Sequence, residues 1–156
     1  MADLSALLTQ ARSFASQDPD IDTAAELQAR IQAAVDGDSA AVADLGERFA
    51  GRLQFGTAGL RGRIEGGTNR MNRVVVMQAA WGLGQYVKAG GMGVDASHGV
   101  VIAFDGRRMS RQFAEDTAAV LAAMGVPSHL FPEVAPTPVC AFAIQSLMPV
   151  SWGAMI

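Results

Sequence analysis

The sequence is poor in the residues that usually mark secreted, zinc-binding or nucleic-acid-binding proteins. One cysteine, Cys140, cannot form an internal disulfide, and with only two histidines beside it no zinc site is indicated. The net charge of -3 argues against nucleic acid or an anionic membrane as a partner. No apolar run reaches about 18 residues and the N-terminus does not resemble a leader peptide, so a cytoplasmic protein is expected.

Lysine is almost missing as well, and arginine takes its place. Lys88 is the single lysine among 12 basic residues, and seven of the arginines fall between residues 61 and 111. The planar guanidinium group forms bidentate contacts with oxyanions, so this pattern is typical of a protein that holds an anion in a cleft. High-GC codon usage with solvated surface arginines is the alternative, and composition alone leaves both open.

The first 50 residues are rich in alanine and follow the period of amphipathic helices. Thr23 and Glu26 have the spacing of a capping box, and Gly37 has the position of a helix C-cap. A new helix is predicted from Ser39 onwards. Residues 1–50 are therefore predicted to be an N-terminal helical arm, followed by a separate domain over residues 51–156.

The second region alternates short β-branched stretches with helices. After an opening strand, a broad apolar helix is predicted in "MNRVVVMQAAWGLGQYV", with Trp81 in the core. Further strands are predicted in "HGVVIAFDG", "PSHLFPEV" and "SWGAMI", and the helices between them have Ser110 and Thr137 as expected N-caps. Such alternation predicts an α/β fold, a three-layer α/β/α sandwich with helices on both faces of the sheet.

Two loops carry residues suited to chemistry. In "FGTAGLRGRIEGG" the glycines permit tight turns and close approach of the backbone, while Thr57 and Arg61 supply donors for an oxyanion. A glycine-rich connection with a surface arginine is the structural alternative. The spacing matches neither the Walker A pattern nor the dinucleotide-binding pattern, which disfavours a dinucleotide-binding domain.

The second loop, "FDGRRMSRQFA", places Arg107, Arg108 and Arg111 around the start of a helix. Cations at that end oppose the helix dipole unless an anion or a carboxylate neutralises them. An ion pair between Asp105 and Arg107 that braces the loop is favoured over direct contact with a substrate.

Four stretches in order, "FGTAGLRG", "NRMNRVVVMQAAWGLGQYV", "VVIAFDGRRMSRQFA" and "APTP", resemble the α-D-phosphohexomutase superfamily. Within it the sequence is most similar to the phosphoglucomutase/phosphopentomutase branch, whose members have four domains. The resemblance covers the first domain, incompletely, and implies an N-terminal fragment that ends just before the phosphoserine loop. Domains II–IV would then be its missing partners.

The resemblance also implies a reaction. Full-length members transfer a phosphoryl group between the 1- and 6-positions of a hexose, here expected to be glucose, and use Mg²⁺ and a sugar bisphosphate. Arg61 matches the family arginine near the phosphoserine and is the expected catalytic residue, with Thr57 as a weaker substrate-binding candidate. Neither the phosphoserine loop nor the magnesium loop is in this sequence, so we expect no bound metal and no turnover.

A stand-alone module that binds sugar phosphates or other anions without catalysis is the alternative function. It would use the same arginine loops and would bind its ligand saturably.

Overall fold

The computed structural model describes residues 4–57, 59–93, 96–147 and 152–156. The chain forms two compact units, residues 1–75 and residues 76–156. Among the described residues, no helix is both long enough and apolar enough to cross a membrane.

The first unit begins with three amphipathic helices: α1 (Leu4–Gln17), α2 (Ile21–Val35) and α3 (Ser39–Arg48). On α2 the buried positions are Thr23, Leu27, Ile31 and Ala34, one side chain per turn on a single face. These side chains form one apolar core with those of α1 and α3. Phe14 and Phe49 meet edge to face in this core, with ring centroids 5.8 Å apart.

The starts of α2 and α3 are both capped by aspartate. Asp20 Oδ1 accepts hydrogen bonds from the backbone N–H groups of Asp22 and Thr23, at 3.1 and 2.9 Å. The predicted capping box is therefore wrong: Thr23 is the third helical residue, because the aspartate three residues earlier begins the helix. The Glu26 side chain pairs with Arg48 instead. The predicted start of α3 at Ser39 is confirmed, with Asp38 as its N-cap.

A small hairpin follows α3. Its strands, β1 (Phe55–Gly56) and β2 (Gly59–Leu60), pair antiparallel in a sheet of their own. The prediction of an opening strand for the α/β sheet is wrong here, because the glycines turn the chain back after two residues. Residues 61–72 then lead to α4 (Arg73–Lys88), where Asn72 Oδ1 accepts from Val75 N at 2.9 Å and caps the helix.

The second unit contains a parallel sheet of three strands: β3 (Val100–Ala103), β4 (Ser128–Leu130) and β5 (Trp152–Met155). The order is β4-β3-β5, with Val100 opposite both Ser128 and Trp152. The crossover from β3 to β4 contains α5 (Ser110–Ala123), and the crossover to β5 contains α6 (Thr137–Phe142). Short 3₁₀ turns span Gly91–Gly93 and Ala96–His98, and a π-helical turn spans Ala143–Leu147.

Both faces of the central strand β3 are buried. Val100 and Ile102 pack with Val87 of α4 and Leu121 of α5 on one side. On the other side the core comprises Val101, Ala103, Ala135, Cys140 and Ala143. The three-layer α/β/α architecture is thereby confirmed, with a sheet of three described strands.

Three local predictions for this region are wrong. Trp81 is 53% exposed, because α4 is apolar nearly all round and its period does not select the buried face. The buried face has Gly84 against Met124, so closely that an added Cβ would lie 2.5 Å from the Met124 sulfur. Ser110 and Thr137 are the first helical residues and not the N-caps, which are Met109 and Pro136.

Candidate functional site

The β1–β2 hairpin presents the two residues that the sequence singles out. Phe55 pairs with Leu60 and Gly56 with Gly59, so Thr57 lies in the turn and Arg61 directly follows β2. Gly59 has a φ of 86°, a conformation that favours glycine. Thr57 and Arg61 are both exposed, at the turn and at the base of one short hairpin.

The base of the hairpin is closed by backbone hydrogen bonds. Leu53 N donates to Thr68 O at 2.9 Å, and Met71 N donates to Arg63 O at the same distance. Gly62 lies at this closure, where an added Cβ would be 3.2 Å from Leu53 Cδ1. Backbone hydrogen bonds therefore hold the chain on both sides of Arg61, at Leu53 and at Arg63.

The arginines of the first unit fall into two classes. Arg52, Arg61 and Arg63 are exposed, and no carboxylate of the described residues lies within ion-pair distance of them. Arg48 and Arg70 are 2% and 4% exposed and are surrounded by carboxylates. The exposed class is free to bind an external oxyanion, whereas the buried class is neutralised within the protein.

Arg48 is the centre of a buried arginine cluster, which we define as Arg48 and Arg70 with Glu26, Asp44 and Glu65. Arg48 Nη1 and Nη2 donate to the two Glu26 carboxylate oxygens at 2.7 and 2.8 Å. Arg48 Nε is 2.9 Å from Asp44 Oδ2, one turn earlier on α3. Burial alone would lower the pKa of Arg48, but the carboxylates of Glu26 and Asp44 outweigh it and raise that pKa above its ordinary value.

The cluster extends into the loop 61–72. Glu65 Oε2 accepts from Arg70 Nε at 2.8 Å and lies 3.6 Å from Arg48 Nη2. The Asn72 amide group donates to Glu65 O and Gly67 O, at 2.9 and 2.8 Å. Asn69 N donates to Arg48 O at 2.9 Å. Side-chain and backbone contacts thus attach the loop to the end of α3.

A glycine substitution tests how closely this loop approaches α3. Gly67 has a φ of 137°, and an added Cβ would lie 2.9 Å from Arg48 Cβ and 3.0 Å from Arg48 O. We expect Gly67→Ala to destabilise the first unit by about 2 kcal/mol. Gly46→Ala is the control: Gly46 lies inside α3 with nothing within 4 Å, so alanine should stabilise by about 0.5–1 kcal/mol. Denaturation in urea measures the change in the free energy of unfolding for both variants. Equal changes would contradict the close approach of Gly67 to α3.

The second arginine loop lies in the other unit, after β3. Asp105 Oδ1 accepts from Arg107 N and Ser110 Oγ, each at 3.0 Å, and Asp105 Oδ2 pairs with Arg107 Nε at 2.5 Å. The predicted ion pair that braces this loop is confirmed. The backbone N–H of Asp105 donates to Ile156 O at 3.1 Å, so the loop holds the residue after β5.

Asp105 should make the stability of the second unit depend on pH. The backbone N–H of Arg107 lowers the pKa of Asp105 most. Burial opposes this and raises the pKa, but the Arg107 and Ser110 side chains lower it further, so the net direction is downward. The contribution of the Asp105 carboxylate to the free energy of unfolding is complete at pH values above its pKa in the unfolded chain. That contribution disappears as the pH falls through its lower pKa in the folded chain. Asp105→Asn should cost about 1 kcal/mol at pH 7 and much less at pH 2, measured by thermal unfolding. An equal loss at both pH values would contradict this assignment.

A cleft of about 610 Å³ lies beside this loop. Arg107 and Arg111 line it, but their guanidinium groups already pair with Asp105 and Glu115. Glu133 adds another carboxylate to the wall. The cleft therefore carries more negative than positive charge, and it suits an anionic ligand less than the hairpin does.

The described residues can also be compared with what the Mg²⁺ of full-length members would require. Among them, no group of three histidine, cysteine, aspartate or glutamate side chains could hold a metal ion. The Glu26, Asp44 and Glu65 carboxylates of the first unit are instead engaged by Arg48 and Arg70. The described part of this chain does not fit Mg²⁺, and no step through the metal is assigned to it.

Comparison with known proteins identifies the family. Residues 52–156 match the family model described as phosphoglucomutase/phosphomannomutase, alpha/beta/alpha domain I. The chain belongs to the phosphoglucomutase/phosphomannomutase family. The match confirms the resemblance drawn from the four sequence stretches, and it agrees with the layers of the second unit.

Individual relatives support the same family. The chain is 51% identical over 75 residues to a probable phosphomannomutase of Haemophilus influenzae, covering 48% of this chain and 15% of that protein. It is 40% identical over 116 residues to a phosphoribomutase of Saccharomyces cerevisiae, covering 72% and 18%. For a human phosphopentomutase the identity is 34% over 110 residues, covering 67% and 18%. The chain thus spans less than a fifth of the length of these relatives. No solved structure gives a match.

The sequence predicts Thr57 and Arg61 as site residues, but it does not predict the buried arginine cluster. A signal for Arg48 was present, because Ala41, Leu45 and Arg48 follow the i, i+4, i+7 spacing of a buried helix face. Asp44 and Arg48 also have the i, i+4 spacing of an ion pair. The partners on α2 and in the loop 61–72 are distant in sequence, so only the fold reveals them.

Proposed function

We propose that this chain contributes the first domain of a phosphosugar mutase that moves a phosphoryl group between the 1- and 6-positions of a hexose. Membership of the family supports the reaction class. Glucose is the sugar we propose, and a phosphoglucomutase of Staphylococcus saprophyticus, 39% identical over 108 residues, is among the relatives. Relatives named for ribose and pentose make ribose 1-phosphate the matched comparison substrate.

Arg61 is the proposed catalytic residue, and Thr57 is proposed to bind substrate. The observation that carries this proposal is the exposed Arg61 guanidinium, which has no carboxylate partner among the described residues. A guanidinium in that state can form charge-assisted hydrogen bonds to a phosphoryl group and neutralise its charge during transfer. The Thr57 hydroxyl adds a neutral donor on the same hairpin.

We propose that residues 1–156 alone have no turnover. Mg²⁺ and a sugar bisphosphate activator would act with the parts of a full-length relative that this chain does not cover. The test is conversion of glucose 1-phosphate to glucose 6-phosphate with Mg²⁺ and glucose 1,6-bisphosphate. We expect no product above background; turnover that disappears in Arg61→Ala would show that the chain is an enzyme by itself.

A stand-alone anion-binding module is the second candidate, favoured by Arg52, Arg61 and Arg63 of the first unit, which pair with no carboxylate of the described residues. Both candidates bind a sugar phosphate, so the distinction is catalysis by complementation. If the remaining domains of a full-length relative, added in trans, restore Arg61-dependent turnover, the mutase proposal is supported. Saturable binding without turnover under those conditions would favour the module.

Two further expectations stay proposals. The first is the division into a helical arm, residues 1–50, and a domain over residues 51–156, which limited proteolysis near residue 50 would test. The second is a cytoplasmic location, in keeping with the free thiol of Cys140.

A further inference from the structure

Arg48 occupies an unusual environment for an arginine. It is the largest fully buried side chain of the described residues, although charged side chains are costly to remove from water. A helix that only covered an apolar core would be served by leucine at this position. The partners of Arg48 therefore bear on what the buried charge does.

Those partners belong to two different parts of the first unit. Glu26 and Asp44 lie on α2 and α3, and they fix the guanidinium within the helical core. Glu65 and Gly66 lie in the loop 61–72, where Arg48 Nη1 is 3.4 Å from the Gly66 carbonyl oxygen. One planar side chain thus joins the helices to the loop that follows Arg61.

The loop fits closely around this contact. An added Cβ on Gly66 would lie 3.0 Å from Leu27 Cβ, and one on Gly67 would lie 2.9 Å from Arg48 Cβ. Glu65 N donates to Met71 O at 3.2 Å, which joins the two ends of the loop beside Arg48. The backbone between Arg61 and Met71 is consequently held at one position relative to α2 and α3.

The position of the Arg61 side chain depends on the backbone between Arg61 and Met71. The Arg61 side chain contacts no carboxylate among the described residues, so its placement follows from the chain on either side of it. On the C-terminal side this chain is held by Arg63 O with Met71 N, and then by the buried arginine cluster. A substitution within the buried arginine cluster should therefore shift the position of Arg61, although Arg61 itself is unchanged.

We propose that Arg48 is a positioning residue for Arg61: it fixes the loop 61–72 on the helices so that Arg61 meets a phosphoryl group in one orientation. This inference rests on the proposed function for the ligand, whereas the effect on the loop stands by itself. Arg48 is not a catalytic residue, because it is buried and faces only groups of this chain.

The test uses Arg48→Lys in the full 156-residue chain. Lysine keeps the positive charge but cannot contact Glu26, Asp44 and Gly66 with one planar group. We expect amide exchange at residues 61–66 to rise about tenfold, the effect of losing one charge-assisted hydrogen bond, with the α2 core unchanged. Affinity for glucose 1,6-bisphosphate, followed by NMR titration, should fall by a similar factor.

Arg30→Lys is the matched control. Arg30 is 3.1 Å from the same Asp44 carboxylate, but it is 39% exposed, and among the described residues no ion pair joins it to the loop. It should leave loop exchange and ligand affinity as in the unmodified chain. A role of Arg48 in stability alone would instead raise exchange throughout α2 and α3.

The outcomes separate this proposal from the proposed function. Unchanged loop exchange in a folded Arg48→Lys chain would overturn it, as would a rise spread evenly over the first unit. If loop exchange rises selectively while Arg61→Ala leaves bisphosphate affinity unchanged, the positioning of the loop is supported and the phosphoryl-binding role fails. Should Arg48→Lys not fold, Glu65→Gln weakens the cluster from the loop side, and its loop exchange decides in the same way.

Discussion

Replacing Arg48 by methionine is expected to destabilise the first unit by about 3 kcal/mol. Methionine fills much of the space but leaves the Glu26, Asp44 and Glu65 carboxylates without their shared cation. Removing one partner of a buried ion pair typically costs about 3–5 kcal/mol. The lower end applies because these three carboxylates are 22–42% exposed and can regain water.

The measurement is hydrogen exchange or urea unfolding monitored at core amides such as those of Leu27 and Leu45. Arg30→Met is the matched control, since it removes an exposed partner of Asp44 and should cost less than about 1 kcal/mol. Adding Glu26→Leu to Arg48→Met should recover part of the loss, because an uncompensated carboxylate is removed. If Arg48→Met were as stable as Arg30→Met, the buried cluster would not stabilise the unit.

Arg61→Ala is expected to lower affinity for glucose 1,6-bisphosphate by roughly 10- to 100-fold, the equilibrium effect of one or two hydrogen bonds to a charged group. The substitution leaves the fold intact, because Arg61 is exposed and has no ion pair among the described residues. Isothermal titration or NMR titration of the full chain measures the change.

Arg108→Ala is the control for total charge. Arg108 is exposed in the second arginine loop, and no carboxylate of the described residues lies within ion-pair distance of it. Its replacement by alanine changes the net charge by the same amount as Arg61→Ala. We expect its effect on affinity to stay below about threefold, since an exposed charge that makes no direct contact with the ligand is screened by salt. Equal losses for the two variants would indicate nonspecific attraction of the bisphosphate.

The sequence predicts the layered part of the fold well because its patterns there are local. The β-branched run of β3 between a glycine and an Asp-Gly pair indicates a buried strand, and α5 follows at helical spacing. The aspartate–arginine pair after β3 is also local, only two residues apart. The predicted helix starts differ from the observed ones by one to three residues. On α2 the Asp20 carboxylate takes the cap predicted for Thr23, whereas the caps of α5 and α6 are Met109 and Pro136, which make no side-chain hydrogen bond to the helix.

The helical arm shows the limit of local patterns. The spacing of Thr23 and Glu26 predicts a capping box on α2, yet the partner of Glu26 is Arg48, 22 residues away. The helical spacing of α4 predicts Trp81 in the core, but α4 has apolar residues on every side. Tertiary packing buries the face with Gly84 instead, and Trp81 is exposed. In the hairpin, resemblance to a family motif predicts roles for Thr57 and Arg61, but the position of the hairpin depends on contacts between segments that are distant in sequence.

The most direct test of the proposed site at Thr57 and Arg61 is to locate where a sugar bisphosphate binds to this chain. Glucose 1,6-bisphosphate would be titrated into the isotope-labelled chain, and amide and arginine side-chain signals would be followed by NMR. We expect saturable shifts centred on Thr57, Arg61 and Arg63 that disappear in Arg61→Ala. Shifts centred on Arg107, Arg108 and Arg111, with the hairpin unchanged, would contradict the proposed site.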